Sequence, residues 1–129
     1  MNGRPSGRPL FVVAAFCTEP AERHTVSNFI GEFIGTFVLL FGLSALGVNK
    51  FSEGLNPMAV GALIFSIGLS LGGTTGYAIN PARDLGSRIA HALLPIPGKG
   101  SSDWAYSWIP VLGPILGGIC GAAFYKMLF

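Results

Sequence analysis

Three long apolar runs, with one charged residue among them, constrain this chain more than any other feature of its 129 residues. The first covers residues 29–48, where the polar side chains are Glu32, Thr36 and Ser44. At 1.5 Å per residue it makes a helix of about 30 Å, the thickness of a bilayer's hydrocarbon core. The second, residues 57–73, opens on Pro57, a residue suited to a first helical position. The third is residues 108–125. Trp104, Tyr106 and Trp108 at one border, with Tyr125 and Lys126 at the other, read as interfacial anchors. Only 11% of the residues are charged, against about a quarter in soluble domains, and the mean hydropathy is +0.58. The expected class is an all-α membrane protein. A net charge of +2, scattered along the chain, excludes a nucleic-acid footprint.

Residues 1–27 form a mixed amino-terminal segment, and residues 28–129 the membrane unit. Leu10–Phe16 is apolar and follows two arginines, but Pro9 and Glu19-Pro20 spoil a cleavable signal. Cys17 and Cys120 have neither metal nor redox spacing, and Cys120 is expected to pack as a small hydrophobe. Glycines four apart (Gly31 and Gly35; Gly68 and Gly72; Gly113, Gly117 and Gly121) suit close packing of membrane helices.

Between the second and third runs the pattern changes. Gly72-Gly73-Thr74-Thr75-Gly76-Tyr77-Ala78-Ile79 reads as irregular backbone, and Asn80-Pro81 as an N-cap with proline in first position. A short helix over about 81–94, ending before Pro95 and Pro97, reaches only half-way across a bilayer. Leu85, Ile89 and Leu93 fall on one face; Asp84 and Arg88, four apart, are placed to pair on the helix surface. His91 reads as an interfacial surface residue.

Irregular backbone at membrane depth is tolerated only inside protein or along a wet cavity. A helix amino terminus there projects about half a positive charge. Such a site favours neutral solutes that accept hydrogen bonds and opposes cations. The Asn80 amide adds a donor, and Arg83, one turn along, adds a guanidinium that never deprotonates.

Gly76-Tyr77-Ala78-Ile79-Asn80-Pro81-Ala82-Arg83-Asp84-Leu85-Gly86 resembles the second signature loop of the aquaporin and glycerol-facilitator family. Asp84 directly after Arg83 resembles the glycerol-conducting branch. The resemblance covers Phe16–Phe129, the second repeat of that fold: three transmembrane helices plus one re-entrant half-helix. It implies that Asn80 is the pore-centre asparagine, Arg83 the selectivity-filter arginine and Tyr77 the filter's aromatic residue. Gly68 stands where strict water channels place histidine, so a missing side chain would widen the constriction. Pro81, Ala82 and Asp84 complete the half-helix motif. Glu32 matches a buried glutamate that accepts hydrogen bonds from the loop's backbone. Tyr77 replaces the commoner phenylalanine, and Ser87 the usual proline.

The resemblance further implies glycerol and water as permeants, a plasma-membrane location and a homotetramer. The family's pore takes two inverted repeats. This chain has one Asn-Pro-Ala and lacks the first repeat's filter tryptophan. A piece of a longer reading frame is expected, inactive alone and partnered by the missing repeat; an antiparallel pair of copies is the alternative. The implied topology puts Arg83, Arg88 and Lys99 outside and Lys50 and Lys126 inside, against the positive-inside tendency, so the first repeat is expected to set orientation. A non-conducting membrane subunit, or a truncated regulatory fragment with the same fold, is the rival reading. An intramembrane enzyme would rest on Glu32 and His91 alone; with no nucleophile–base pair, metal cluster or phosphate loop legible, neither enzyme activity nor a cofactor is expected.

Overall fold

The computed structural model describes residues 17, 18, 20 and 22–129, and among them every regular element is a helix. The elements are α1 (Thr25–Gly47), α2 (Leu55–Thr75), α3 (Pro81–Leu93) and α4 (Trp108–Leu128). The apolar stretch Leu10–Phe16 lies outside the described residues. Helices α1, α2 and α4 are each long and apolar enough to cross a membrane. Helix α3, with 13 residues, reaches about 20 Å.

The polarity of α1 is inverted relative to a water-soluble helix. Asn28, Glu32, Gly35 and Thr36, spaced along one stripe, are buried. Val26, Ile30, Ile34 and Val38 point outward. In a bilayer, the apolar side chains need no partner, whereas the polar ones must find theirs inside the protein.

Helix α2 runs further than the sequence pattern suggests. It starts at Leu55, with Gly54 as cap at φ 84°, and continues through Gly72 and Gly73 to Thr75. Pro57 therefore stands in the first turn, where N–H groups have no helical acceptor anyway. Glycine weakens a helix in water by about 1 kcal/mol. At membrane depth, however, breaking the ladder strands backbone groups. The helix stops where Gly76, at φ 82°, can turn left-handed. The irregular segment thus begins at Gly76 rather than Gly72.

Helix α4 docks on α1 through backbone. A Cβ added at Gly113 would lie 2.9 Å from the Glu32 Cβ; at Gly117 it would overlap the Phe33 carbonyl, and at Gly121 the Phe37 carbonyl. Towards the carboxyl-terminal end of the pair, Phe124 packs on both Phe37 and Phe41, with ring centroids 5.7 and 6.0 Å apart. Phe29 stacks on Trp108 at the opposite end. Cys120 lies on the exposed side of α4, not in packing.

The half-helix α3 follows the same inversion. Asp84, Arg88 and His91 are buried, whereas Leu85, Ile89 and Leu93 face outward. Leu94 is extended, as a residue before proline must be, and this ends the helix.

Candidate pore-lining site at the half-helix

The loop Gly76–Asn80 crosses the protein without secondary structure, so each backbone group needs its own partner. Tyr77 and Ile79 adopt left-handed φ values of 59° and 41°. Gly76 before them is left-handed as well, at φ 82°, so the loop follows no helix or strand ladder. The Tyr77 N–H donates to the Thr75 hydroxyl at 3.3 Å. The Ala78 and Ile79 N–H groups donate to the two carboxylate oxygens of Glu32, at 3.0 and 2.7 Å. Glu32 is only 1% exposed, and its charge is met by these two converging donors. Tyr106, packed behind the loop, donates its hydroxyl to the Thr75 carbonyl at 3.4 Å. Burial raises the Tyr106 hydroxyl pKa well above its ordinary value, with the Glu32 and Asp84 charges adding to the effect. The group therefore stays a donor.

Asn80 caps α3 with its side-chain oxygen, which accepts from the N–H groups of Ala82 (2.9 Å) and Arg83 (3.4 Å). The oxygen is thereby committed, and the carboxamide NH2 is what an outside molecule meets. Arg83 is exposed and gives one N–H to the Tyr77 carbonyl at 2.7 Å. Its other donors have no protein partner among the described residues. Pro81 and Ala82 form the helix's first turn beside them.

Tyr77 lies against α2. A Cβ at Gly68 would meet the Tyr77 ring at 3.2 Å, and one at Gly72 would meet its Cβ at 3.3 Å. The hydroxyl donates to the Ile64 carbonyl. The volume vacated at position 68 is thus occupied by the ring of Tyr77, and the two residues act as one unit.

Asp84 and Arg88 do pair, but not on the surface: both side chains are fully buried. All five guanidinium N–H groups are used. The Nε donates to Asp84 Oδ2 at 2.9 Å, and Nη2 to Asp84 Oδ1 at 2.7 Å and the Thr18 carbonyl at 3.2 Å. The Nη1 donates to the carbonyls of Ser102 and Asp103 at 2.7 and 2.8 Å. Asp84 Oδ1 also accepts from the N–H and the hydroxyl of Thr18. This hub binds the chain before α1, the half-helix and the connector before α4, and it lies away from Asn80's exposed amide. His91 is likewise buried rather than interfacial, with Nδ1 2.9 Å from the Ser102 hydroxyl. Burial reverses the surface readings because residues 17–18 and 102–103 fold over this face. Beyond them, the Lys99 ammonium donates to the carbonyls of His91, Ala92 and Leu94 at 2.9, 2.7 and 2.6 Å. It caps the half-helix where the backbone dipole is negative. Its spacing after the helix was the available signal.

The profile of the major intrinsic protein family matches residues 8–125. The chain belongs to that family. It is an integral membrane protein with an all-α fold of three membrane-crossing helices and one half-helix. It is 63% identical over 121 residues to the glycerol uptake facilitator protein of Bacillus subtilis, covering 94% of this chain and 44% of that protein. It is 62% identical over 117 residues to a probable glycerol uptake facilitator protein of Thermotoga maritima, covering 91% and 50%. Glycerol uptake facilitator protein 3 of Lactiplantibacillus plantarum is also 62% identical, over 91% of this chain and 49% of its own length. The chain thus spans about half the length of the curated relatives it matches.

Proposed function

We propose that this chain is one half of a channel that passes glycerol, water and other small uncharged solutes by facilitated diffusion. The observation that carries the reading is the sorting of polar groups around the half-helix. Asp84, Arg88 and His91 are consumed in burial, whereas the Asn80 amide and the Arg83 guanidinium are presented outward at the helix amino terminus. These are donors, fixed in place, next to a positive helix end. They stabilise hydroxyl oxygens and repel cations. Tyr77, seated on Gly68, supplies the apolar wall, which suits a solute with carbons on one side and hydroxyls on the other. The names of the relatives, glycerol uptake facilitators, agree with that solute.

One half-helix gives half a passage wall. The working channel takes a first repeat with an inverted half-helix of its own, assembles as a homotetramer and sits in the plasma membrane; the piece alone does not conduct. In stopped-flow glycerol gradients, liposomes holding only this chain should recover volume no faster than empty ones. Liposomes holding the chain joined to a first repeat should recover quickly. Fast recovery with the chain alone would overturn the requirement and favour two copies arranged antiparallel. No glycerol recovery with the joined channel, at equal incorporation, would overturn the solute assignment.

A further inference from the structure

Ile79 has the least comfortable backbone in the loop. It is β-branched, yet its φ is 41°, a region that side chains branched at Cβ seldom enter. It also directly precedes Asn80, so its dihedral angles aim the half-helix. A strained residue persists only where its surroundings over-determine it. Glu32 Oε2 accepts the Ile79 N–H at 2.7 Å, which fixes the peptide plane before the residue. The Thr36 hydroxyl lies 3.4 Å from the Ile79 carbonyl, which fixes the plane after it. The side chain itself is seated on Gly35, where a Cβ would come within 3.0 Å of Ile79 Cγ2. Positions 32, 35 and 36 are three and four apart, hence neighbours on one face of α1. That face therefore grips Ile79 by its N–H, its carbonyl and its side chain together.

We infer that Gly35 and Thr36 are positioning residues for the passage: with Glu32 they mould Ile79 into its left-handed conformation, and so set where Asn80 and Arg83 stand. The inference rests on the reading that Asn80 and Arg83 line that passage. Glu32 alone leaves the carbonyl side of Ile79 unheld. Gly35 is needed bare because Ile79, unlike a glycine, brings a branched side chain into the turn. The Thr36 hydroxyl is also 3.0 Å from the Glu32 carbonyl, the usual acceptor for a helical threonine. Its single proton is thus shared between α1 and the loop.

The test uses the joined channel and two readouts: hydrogen exchange at the Ala78 and Ile79 amides, and the ratio of glycerol to water permeability. Gly35→Ala should speed exchange at Ile79 by about tenfold or more, because a holder of a strained residue is lost, and should lower the ratio. Thr36→Val, which keeps the shape and loses the hydroxyl, should move both readouts the same way, and Thr36→Ser should move neither. Adding Ile79→Gly to Gly35→Ala should restore both, since glycine has no Cγ2 and turns left-handed freely. Unchanged readouts in Gly35→Ala and Thr36→Val would overturn the inference. So would rescue of Gly35→Ala by Ile67→Ala instead of Ile79→Gly, because Ile67 Cγ2 is the other atom near Gly35, at 3.8 Å. If the parent channel passes no glycerol, the functional reading has failed. Amide exchange then still decides whether Gly35 and Thr36 hold Ile79.

Discussion

Replacing Asp84 by leucine strands the Arg88 guanidinium inside the protein. Arg88 loses two of its five hydrogen bonds, those from Nε and Nη2 to the carboxylate. Bonds to charged groups are worth about 1.5–3 kcal/mol each, so the loss is about 3–6 kcal/mol. That range brackets the roughly 3–5 kcal/mol seen when one partner of a buried ion pair is removed. Arg88→Met should cost a similar amount, since it leaves the carboxylate with only Thr18 for company. The double replacement removes both charges and leaves neutral groups unpaired, chiefly the carbonyls of Thr18, Ser102 and Asp103. It should therefore be less damaging than the sum of the singles by about 3 kcal/mol. Thermal unfolding of the four proteins in detergent micelles closes the cycle. If the double variant falls by the full sum, the two side chains stabilise independently. If either single variant costs under about 1 kcal/mol, the site is wet and resembles an exposed pair. Either result refutes the buried-hub reasoning.

Gly117→Leu should push α4 off α1, because even a Cβ there overlaps the Phe33 carbonyl, and should cost about 3 kcal/mol in the same unfolding assay. Gly73→Ala, with nothing within 4 Å of the new Cβ, is the matched control and should lose nothing. Arg83→Val in the joined channel should admit cation current that the parent excludes; equal currents at equal surface expression would remove Arg83 from the barrier. Gly68→His should displace the Tyr77 ring and cut glycerol flux far more than water flux, measured on one vesicle preparation. Equal reductions would make Gly68 a packing glycine only.

The membrane class was legible because charge is nearly absent from three runs of helix-spanning length, a signal that no tertiary detail can disguise. The half-helix was legible because Asn80 and Pro81 are cap and first-turn residues by their own chemistry. Less legible was which polar residues turn inward. An Asp and an Arg four apart on a short helix look the same on a wet face and in a dry one, and His91 carries no mark of its environment. What decides is the return of residues 17–18 and 102–103 over that face, contacts separated by 14 to 85 positions in the chain. The end of α2 lies beyond its glycine pair for a related reason. Two consecutive glycines argue against a helix in water, whereas in lipid the cost of unpaired backbone outweighs their flexibility. The roles of Thr36 and Lys99 are less legible because their partners are backbone carbonyls, which every residue carries; for Lys99 only its place just after the half-helix points to a cap.

The acceptors of Arg88 are also spread out in time. Thr18 leaves the ribosome first, Asp84 much later, and Ser102 and Asp103 last. Until residue 103 has emerged, the guanidinium lacks two of its carbonyls and is too poorly partnered to leave water at tolerable cost. The dry seat of Arg88 is therefore complete only once the connector ahead of α4 has been made, although the half-helix that carries it is made earlier.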